Sequence, residues 1–223
     1  NIGENGKNLT ISFLSMNRSS LSIKLLKSIE EFLPNFAGEV LIIDNGSSTD
    51  EMQKLKTACE LLSFQTKIVE LGKNFGVSGG RNRTIEHVRT EWLMCLDNDI
   101  YFIMNPLKEI QHDLAVLGCH FMSLPLLDPD RETIFARGGH VYVSYENGEL
   151  HIGAGSASCQ TKVQSVPSQP FLGTFLFGGA CVIKRDTFVH VGCYDEGMFV
   201  GFEDIDFSIR LFQQGYKVGA ASV

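Results

Sequence analysis

The sequence predicts an α/β protein on a doubly wound, mainly parallel sheet with helices on both faces. Three observations predict it. Between residues 9 and 104, short apolar runs alternate with stretches of helical spacing, and strand–helix units repeated in this order build a parallel sheet. Each apolar run ends in a polar, turn-prone cluster. The 223 residues are 43% hydrophobic and 20% charged, ordinary globular material that can bury a core without staples.

The elements follow in order. Leu9–Met16 is a β-compatible run that stops at Asn17. Ser20–Leu33 places Leu21, Leu25, Ile29 and Phe32 at helical spacing, and Pro34 follows. Glu39–Ile43 is a buried strand ended by Asp44-Asn45-Gly46. Thr49–Leu62 is helical with Met52, Leu55 and Cys59 on one face, entered through a Ser48 or Thr49 cap. Thr66–Leu71 is a third strand, Val77–Arg89 a third helix and Glu91–Leu96 a fourth strand, closed by Asp97-Asn98-Asp99. Residues 120–170 hold four of the six prolines and read as irregular, except for a hairpin, Val141–Tyr145 with Glu149–Ile152, turned by Glu146-Asn147-Gly148. Phe175–Ile183 is an apolar strand interrupted by Gly178-Gly179, and Phe202–Gln214 a helix closed by Gly215. On that last helix Ile205, Ile209 and Phe212 form the expected buried stripe, with Asp206 and Arg210 an i,i+4 ion pair. One domain over 1–223 is expected, divided at about residue 104.

Charge and cysteine usage narrow the function. Nineteen Lys+Arg against 26 Asp+Glu give a net charge of −7, which argues against a broad nucleic-acid surface. The six cysteines include no CxxC, so a structural zinc site is not expected. Cys95, Cys119 and Cys181 lie in apolar runs and are expected as buried, reduced thiols. No run is long enough to span a bilayer, and NIGENGKNLT has no basic, apolar leader pattern. These features imply a cytoplasmic setting, in which the sequons at Asn8, Asn17, Asn45 and Asn82 carry no sugar. The ending GYKVGAASV starts a strand and stops, so truncation at the C-terminus is expected.

In an open parallel sheet, ligands collect at the carboxyl ends of the strands. The clusters there are Asn17-Arg18, Asp44-Asn45-Gly46-Ser47, Lys73-Asn74-Phe75-Gly76 and Asp97-Asn98-Asp99. Two carboxylates at i and i+2 after a buried strand suit a hard divalent cation that also takes diphosphate oxygens; the alternative is a turn held by Asx hydrogen bonds. Gly76-Val77-Ser78-Gly79-Gly80-Arg81 opens a helix whose free N–H groups, with Arg81, suit a phosphate. It is neither GxGxxG nor a P-loop. A last cluster, Asp195 to Asp206, has five carboxylates in 12 residues. Asp206 falls with Arg210, while Asp204 is free to face a cleft. The six histidines show no metal spacing, and no GxSxG elbow is present.

SFLSMNRSS, LIIDNGSSTD, LGKNFGVSGGRNRTIE, WLMCLDNDI and FLFGGACVIKRDTFVHVGCYDEGMFVGFEDIDFSIRLFQQGY, in this order, resemble the family 2 glycosyltransferases of GT-A fold, closest to bacterial rhamnosyltransferase-like members. The resemblance covers most of 9–104 and 171–216. It implies a nucleotide-sugar-binding half over about 1–104 and an acceptor-binding half over about 105–223. Leu14, Met16, Asn17, Asp44 and Asn45 would border the nucleoside. Lys73, Asn74, Gly79 and Arg81 would line the base and diphosphate. Asp97-Asn98-Asp99 would be the DxD-type motif, with Asp99 and Asp97 for Mn2+ or Mg2+ and Asn98 near the ribose. Gly178 and Gly179 would border sugar and acceptor, and Glu203-Asp204 would be the acidic pair, its Asp the general base of an inverting transfer. The donor would be a UDP-, dTDP- or GDP-sugar and the acceptor a glycan or lipid-linked saccharide, reached at the inner face of the membrane without a membrane anchor in the sequence.

Two departures stand beside the resemblance. No His follows His190, where members often supply a further metal ligand, and a paired-Asp motif is here Asp44-Asn45. Two other functions compete: a non-catalytic nucleotide-sugar-binding module, and a sugar nucleotidyltransferase, which would need a Gly-rich basic loop where SMNRSS stands.

Overall fold

The computed structural model describes all residues, Asn1–Val223. Its strands are β1 Leu9–Ser15, β2 Glu39–Asp44, β3 Thr66–Glu70, β4 Trp92–Leu96, β5 Phe121–Ser123, β6 Leu126–Leu127, β7 Ile134–Ala136, β8 Gly139–Glu146, β9 Glu149–Ser156, β10 Phe171–Gly173, β11 Ala180–Lys184 and β12 Val218–Ala220. The helices are α1 Ser19–Phe32, α2 Thr49–Glu60, α3 Gly76–Thr84, α4 Leu107–Leu117, α5 Arg185–His190 and α6 Glu203–Gln213.

Eight strands form one sheet in the order β10-β12-β5-β11-β4-β1-β2-β3. The pairs β1–β2, β2–β3, β1–β4 and β5–β12 are parallel, while β4–β11, β5–β11 and β10–β12 are antiparallel. The mainly parallel, doubly wound sheet is therefore observed. Antiparallel β11 joins its two halves. Both faces are covered, which is why the central strands read as continuous apolar runs rather than as alternation. Leu9, Ile11 and Phe13 of β1 pack toward α1 and α4, with Leu25, Ile29, Ile110 and Leu114. Leu93 and Cys95 of β4 with Cys181 and Ile183 of β11 face the other way, against Phe188, Phe207 and Leu211. Cys95, Cys119 and Cys181 are all buried, and Cys95 and Cys181 oppose each other across β4 and β11. No helix is long and apolar enough to cross a membrane.

The structure corrects several elements. The third helix ends at Thr84, not Arg89, because its last bonds tighten, with Ile85 N–H donating to the Asn82 carbonyl (3.2 Å) and His87 N–H to that of Thr84 (3.0 Å). The strand expected over 175–183 shrinks to β11. Side chains replace the ladder before it: the N–H groups of Leu176, Phe177 and Gly178 donate to Ser208 Oγ (3.1 Å), Ser123 Oγ (2.9 Å) and Asp204 Oδ2 (3.0 Å). The predicted stripe on α6 is also wrong. Ile209 and Phe212 are exposed, and Phe207, Ser208 and Leu211 are buried together with Glu203. The hairpin is longer than expected, and Asn147 and Gly148 take the positive φ values of 54° and 85° that its turn needs.

Candidate active site

Strand order reverses between β1 and β4, and the crevice outside the carboxyl ends of strands at such a point is where this kind of sheet binds ligands. Three segments meet there. The first is the tip of β2 with the turn into α3. Asn45 holds it: Nδ2 donates to Asn74 Oδ1 (3.1 Å) and the Gly76 carbonyl (3.0 Å), and Oδ1 accepts Phe75 N–H (2.9 Å). Asp44, also buried, accepts the N–H groups of Gly46 (3.2 Å) and Ser47 (3.1 Å). Asn17 ties the tip of β1 to the same place, since its Oδ1 accepts Ser48 N–H at 2.8 Å. Exposed Lys73 stands over the Phe75 ring at 4.7 Å. Met16 is exposed, and Leu14 lies against Gly80 of α3.

The second segment is Asp97-Asn98-Asp99 at the end of β4. Gly179 O accepts Asp97 N–H at 2.8 Å, which fixes the turn against β11. Asn98 Nδ2 donates to Ser22 Oγ of α1 at 3.2 Å, and Asp99 is exposed. The third is the approach to α6. Residues 194–199 are strapped to α3. Asn82 Nδ2 donates to the Tyr194 carbonyl and Asn82 Oδ1 accepts Tyr194 N–H, both at 2.9 Å. Arg83 pairs with Glu196 at 2.9 Å, and Val77 N–H donates to the Phe199 carbonyl at 2.7 Å. This strap delivers Glu203 and Asp204 to the crevice.

Arg81 is the hub. Its side chain is 6% exposed, with Nη2 2.7 Å from Asp97 Oδ1 and Nη1 3.5 Å from Glu203 Oε1. Burial works against its charge, but Asp97, joined by the Tyr194, Cys95 and Cys181 side chains, raises the guanidinium above its ordinary range. Burial pushes the Glu203 carboxyl up, opposed by Arg81. Asp97 is likewise pushed up, first by desolvation and then by the charges of Asp99 and Asp204, against the pull of Arg81. Arg81 Nη1 and Glu203 Oε2 are buried without a hydrogen-bond partner. Such orphaned groups are few in native structures, and a catalytic role or a bound water or ion is among their causes.

Gly178 and Gly179 permit the convergence. A Cβ on Gly178 would lie 3.0 Å from both Arg81 Nη1 and Asp204 Cβ, and one on Gly179 would lie 2.8 Å from Asp97 Oδ2 and 2.6 Å from Phe177 Cε1. Asp204 is held as an acceptor by two main-chain donors, Gly178 N–H to Oδ2 (3.0 Å) and Ile205 N–H to Oδ1 (2.8 Å). Asp97, Glu203, Asp204, Arg81, Gly178 and Gly179 thus form one group. Asp206 stays outside it, paired with Arg210 at 2.6 Å as expected.

The sheet and its helices have counterparts among known proteins. Residues 15–118 match the family model described as Glycosyl transferase family 2. Solved structures similar in shape share the GT-A fold. GalNAc-T7 with UDP, GalNAc and Mn2+ aligns with a TM-score of 0.71 at 15% identity, over 95% of this chain and 42% of that one. The mannosyltransferase PcManGT from Pyrobaculum calidifontis, with GDP-Man and Mn2+, gives 0.66 at 16%, over 95% and 53%. S. aureus TarS (1-349) with UDP-GlcNAc gives 0.63 at 14%, over 95% and 55%. In sequence, an inactive polypeptide N-acetylgalactosaminyltransferase-like protein 5 from Macaca fascicularis is 24% identical over 206 residues, 86% of this chain and 44% of the relative. The chain spans about half the length of the proteins it matches, or less.

Sequence reasoning missed how this fold uses Arg81, which it assigns to a phosphate. The guanidinium is already engaged by Asp97, and its burial depends on Gly178 arriving from the far half of the chain. Phe177 was also missed. It makes an edge contact with Phe135 (6.1 Å between centroids) beside Gly179 and Asp97, and only its position before the glycine pair could have signalled it. For a divalent cation, no group of three or more His, Cys, Asp or Glu side chains gathers. Exposed Asp99 and the second oxygen of Asp97 are of the chemical type, one or two carboxylates beside water and substrate phosphates, that Mg2+ or Mn2+ takes.

Proposed function

We propose that this chain transfers a sugar, with inversion, from a nucleotide-diphosphate sugar to a hydroxyl of a glycan or lipid-linked acceptor. The observation that carries the reading is the meeting of Asp97, Asp204 and Glu203 around buried Arg81 at the strand-order reversal.

Asp44, Asn45, Lys73 and Asn74 form the polar edge for the nucleoside of a UDP-, dTDP- or GDP-sugar. Asp99 and Asp97 would hold a divalent cation, which would supply positive charge toward the leaving diphosphate. Asp204 accepts the acceptor hydroxyl's proton as the new C1–O bond forms and the C1–O bond to the diphosphate breaks. Its two N–H donors keep the carboxylate oriented without a third group. Arg81 offsets part of the charge of Asp97 and Glu203 and so holds these two carboxylates beside Asp204. The Mn2+ and nucleotides bound by the structural neighbours support the donor class. The closest expected subtype is deoxyhexosyl transfer by a rhamnosyltransferase-like enzyme.

A second reading, a nucleotide-sugar binder without turnover, is favoured by the relative named as inactive. A panel of UDP-, GDP- and dTDP-sugars, with and without Mn2+, separates the two. The expected result is thermal stabilisation by one nucleotide, dependent on metal and lost in Asp99→Ala. Transfer should fall by about 10²–10⁴-fold in Asp204→Asn with donor binding kept. Binding without turnover in the unmodified protein selects the second reading, and indifference to every donor refutes both.

A further inference from the structure

A cavity of about 440 Å³ lies outside the crevice, between α1, residues 101–102 and the turn at Arg131. Helix α1 has two jobs on two faces. Its inner face holds the acidic turn, through Ser22 to Asn98 (3.2 Å) and through Ser28 Oγ, which accepts Phe102 N–H at 2.9 Å. Its outer face lines the cavity at positions 20, 24, 27 and 31, the spacing of one helical stripe.

Lys24, Lys27 and Arg131 surround this cavity, and Glu31 is its one acid. None of the three cations is ion-paired, although the chain carries a net charge of −7. Lys24 instead sits over the Tyr101 ring, 3.6 Å from its centroid. Lys27 and Glu31 stand in the less favourable i,i+4 order and form no pair. Like charges left unpaired around one hollow repel each other, and an anion entering it relieves the repulsion. Arg supplies a fork and Lys a mobile point charge, the usual pair of donors for phosphate oxygens. Phe32 and Phe102 add an apolar wall. The volume is that of a small-ligand pocket rather than of a single ion.

We propose that this cavity is a second anion site, for a phosphate or diphosphate ester whose organic body rests on Phe32 and Phe102. It is separate from the Asp97–Asp99 turn and does not depend on glycosyl transfer, so a failed transfer assay leaves it standing. Two sources share the chemistry: the diphosphate of a lipid-linked molecule and a soluble phosphate.

The test is calorimetric titration of the whole chain with farnesyl diphosphate and with inorganic pyrophosphate, in EDTA so that no metal-dependent donor binding contributes. Binding should weaken at least about ten-fold, about 1.4 kcal/mol, in Lys24→Ala/Lys27→Ala. It should survive in Lys24→Arg/Lys27→Arg and in Asp99→Ala. All altered side chains are exposed, so the fold is kept. A ten-fold preference for farnesyl diphosphate assigns the site to a lipid-linked ligand, and equal affinities assign it to a soluble phosphate. No binding of either anion, equal binding by the double alanine variant, or loss in Asp99→Ala would overturn the site.

Discussion

Arg81→Met removes the one cation buried among the crevice carboxylates and keeps an unbranched apolar stem in its place. Two partners are left. Asp97 is 50% exposed and can hydrate, whereas Glu203 is 7% exposed and cannot. Breaking a buried pair from one side costs about 3–5 kcal/mol, and here the larger share falls on Glu203. For a domain of this size each kcal/mol is worth about 2–4 °C, so a melting point lower by about 6–20 °C is expected, read by calorimetry or urea unfolding. Burial raises the Glu203 carboxyl above its ordinary value, and losing Arg81 raises it further. Protonation then favours the folded state. A raised carboxyl binds more protons folded than unfolded, so stability rises as pH falls from the folded value toward about 4.5. The penalty of Arg81→Met should therefore shrink on mild acidification. Arg81→Met/Glu203→Gln should recover most of the loss, because it removes the stranded charge. A single variant within about 1 kcal/mol of the parent, or a penalty that grows as pH falls through this range, would refute the reasoning.

Three further outcomes are expected. Gly178→Ala pushes a methyl to 3.0 Å from Arg81 Nη1 and Asp204 Cβ, so turnover should drop by about ten-fold or more with a smaller change in melting point, measured side by side. Asn45→Ala strands Phe75 N–H and the Gly76 carbonyl, and each group left unpaired costs about 1–3 kcal/mol, measured by denaturant titration. Gly76→Ala combines φ +73° with a Cβ only 2.3 Å from the Phe199 carbonyl oxygen; it should loosen the strap between α3 and residues 194–199, seen as faster hydrogen exchange at Val77.

The first half of the fold was legible because its signals are local. β1, β2 and β4 announce themselves by apolar runs, and Ser48 caps α2 within reach of Glu51 N–H (3.4 Å). Those runs stop where chain direction must change, which also put Asp44, Asp97 and Asp99 at the strand tips. The second half depends on distant pairing. β12 is three residues long and gains its place only between β5 and β10, and β5 and β10 are as short; α4 went unread although Asn105-Pro106 opens it and left-handed Gly118 closes it. The phase of α6 was lost for a related reason. Apolar spacing pointed Ile209 and Phe212 inward, but Phe207 packs on Phe121, Phe188 and Tyr194 with Leu211 in the same cluster, a rotation that also turns Glu203 toward Arg81.

That rotation also sets the electrostatics of the crevice. Asp97, Asp99, Glu203 and Asp204 bring four negative charges and Arg81 one positive, so the group sums to 1 − 4 = −3 when all are ionised. Desolvation is the first cause of the upward push on Asp97 and Glu203, and the neighbouring carboxylates add to it. A diphosphate entering alone would add like charge and be repelled. Entering with a divalent cation, it adds far less, and the cation offsets part of the excess on Asp97 and Asp99. The acidic turn and the acidic entry to α6 thus impose a condition on the ligand: binding of a nucleotide diphosphate should rise steeply with Mn2+, and a neutral nucleoside should show no such dependence in the same titration.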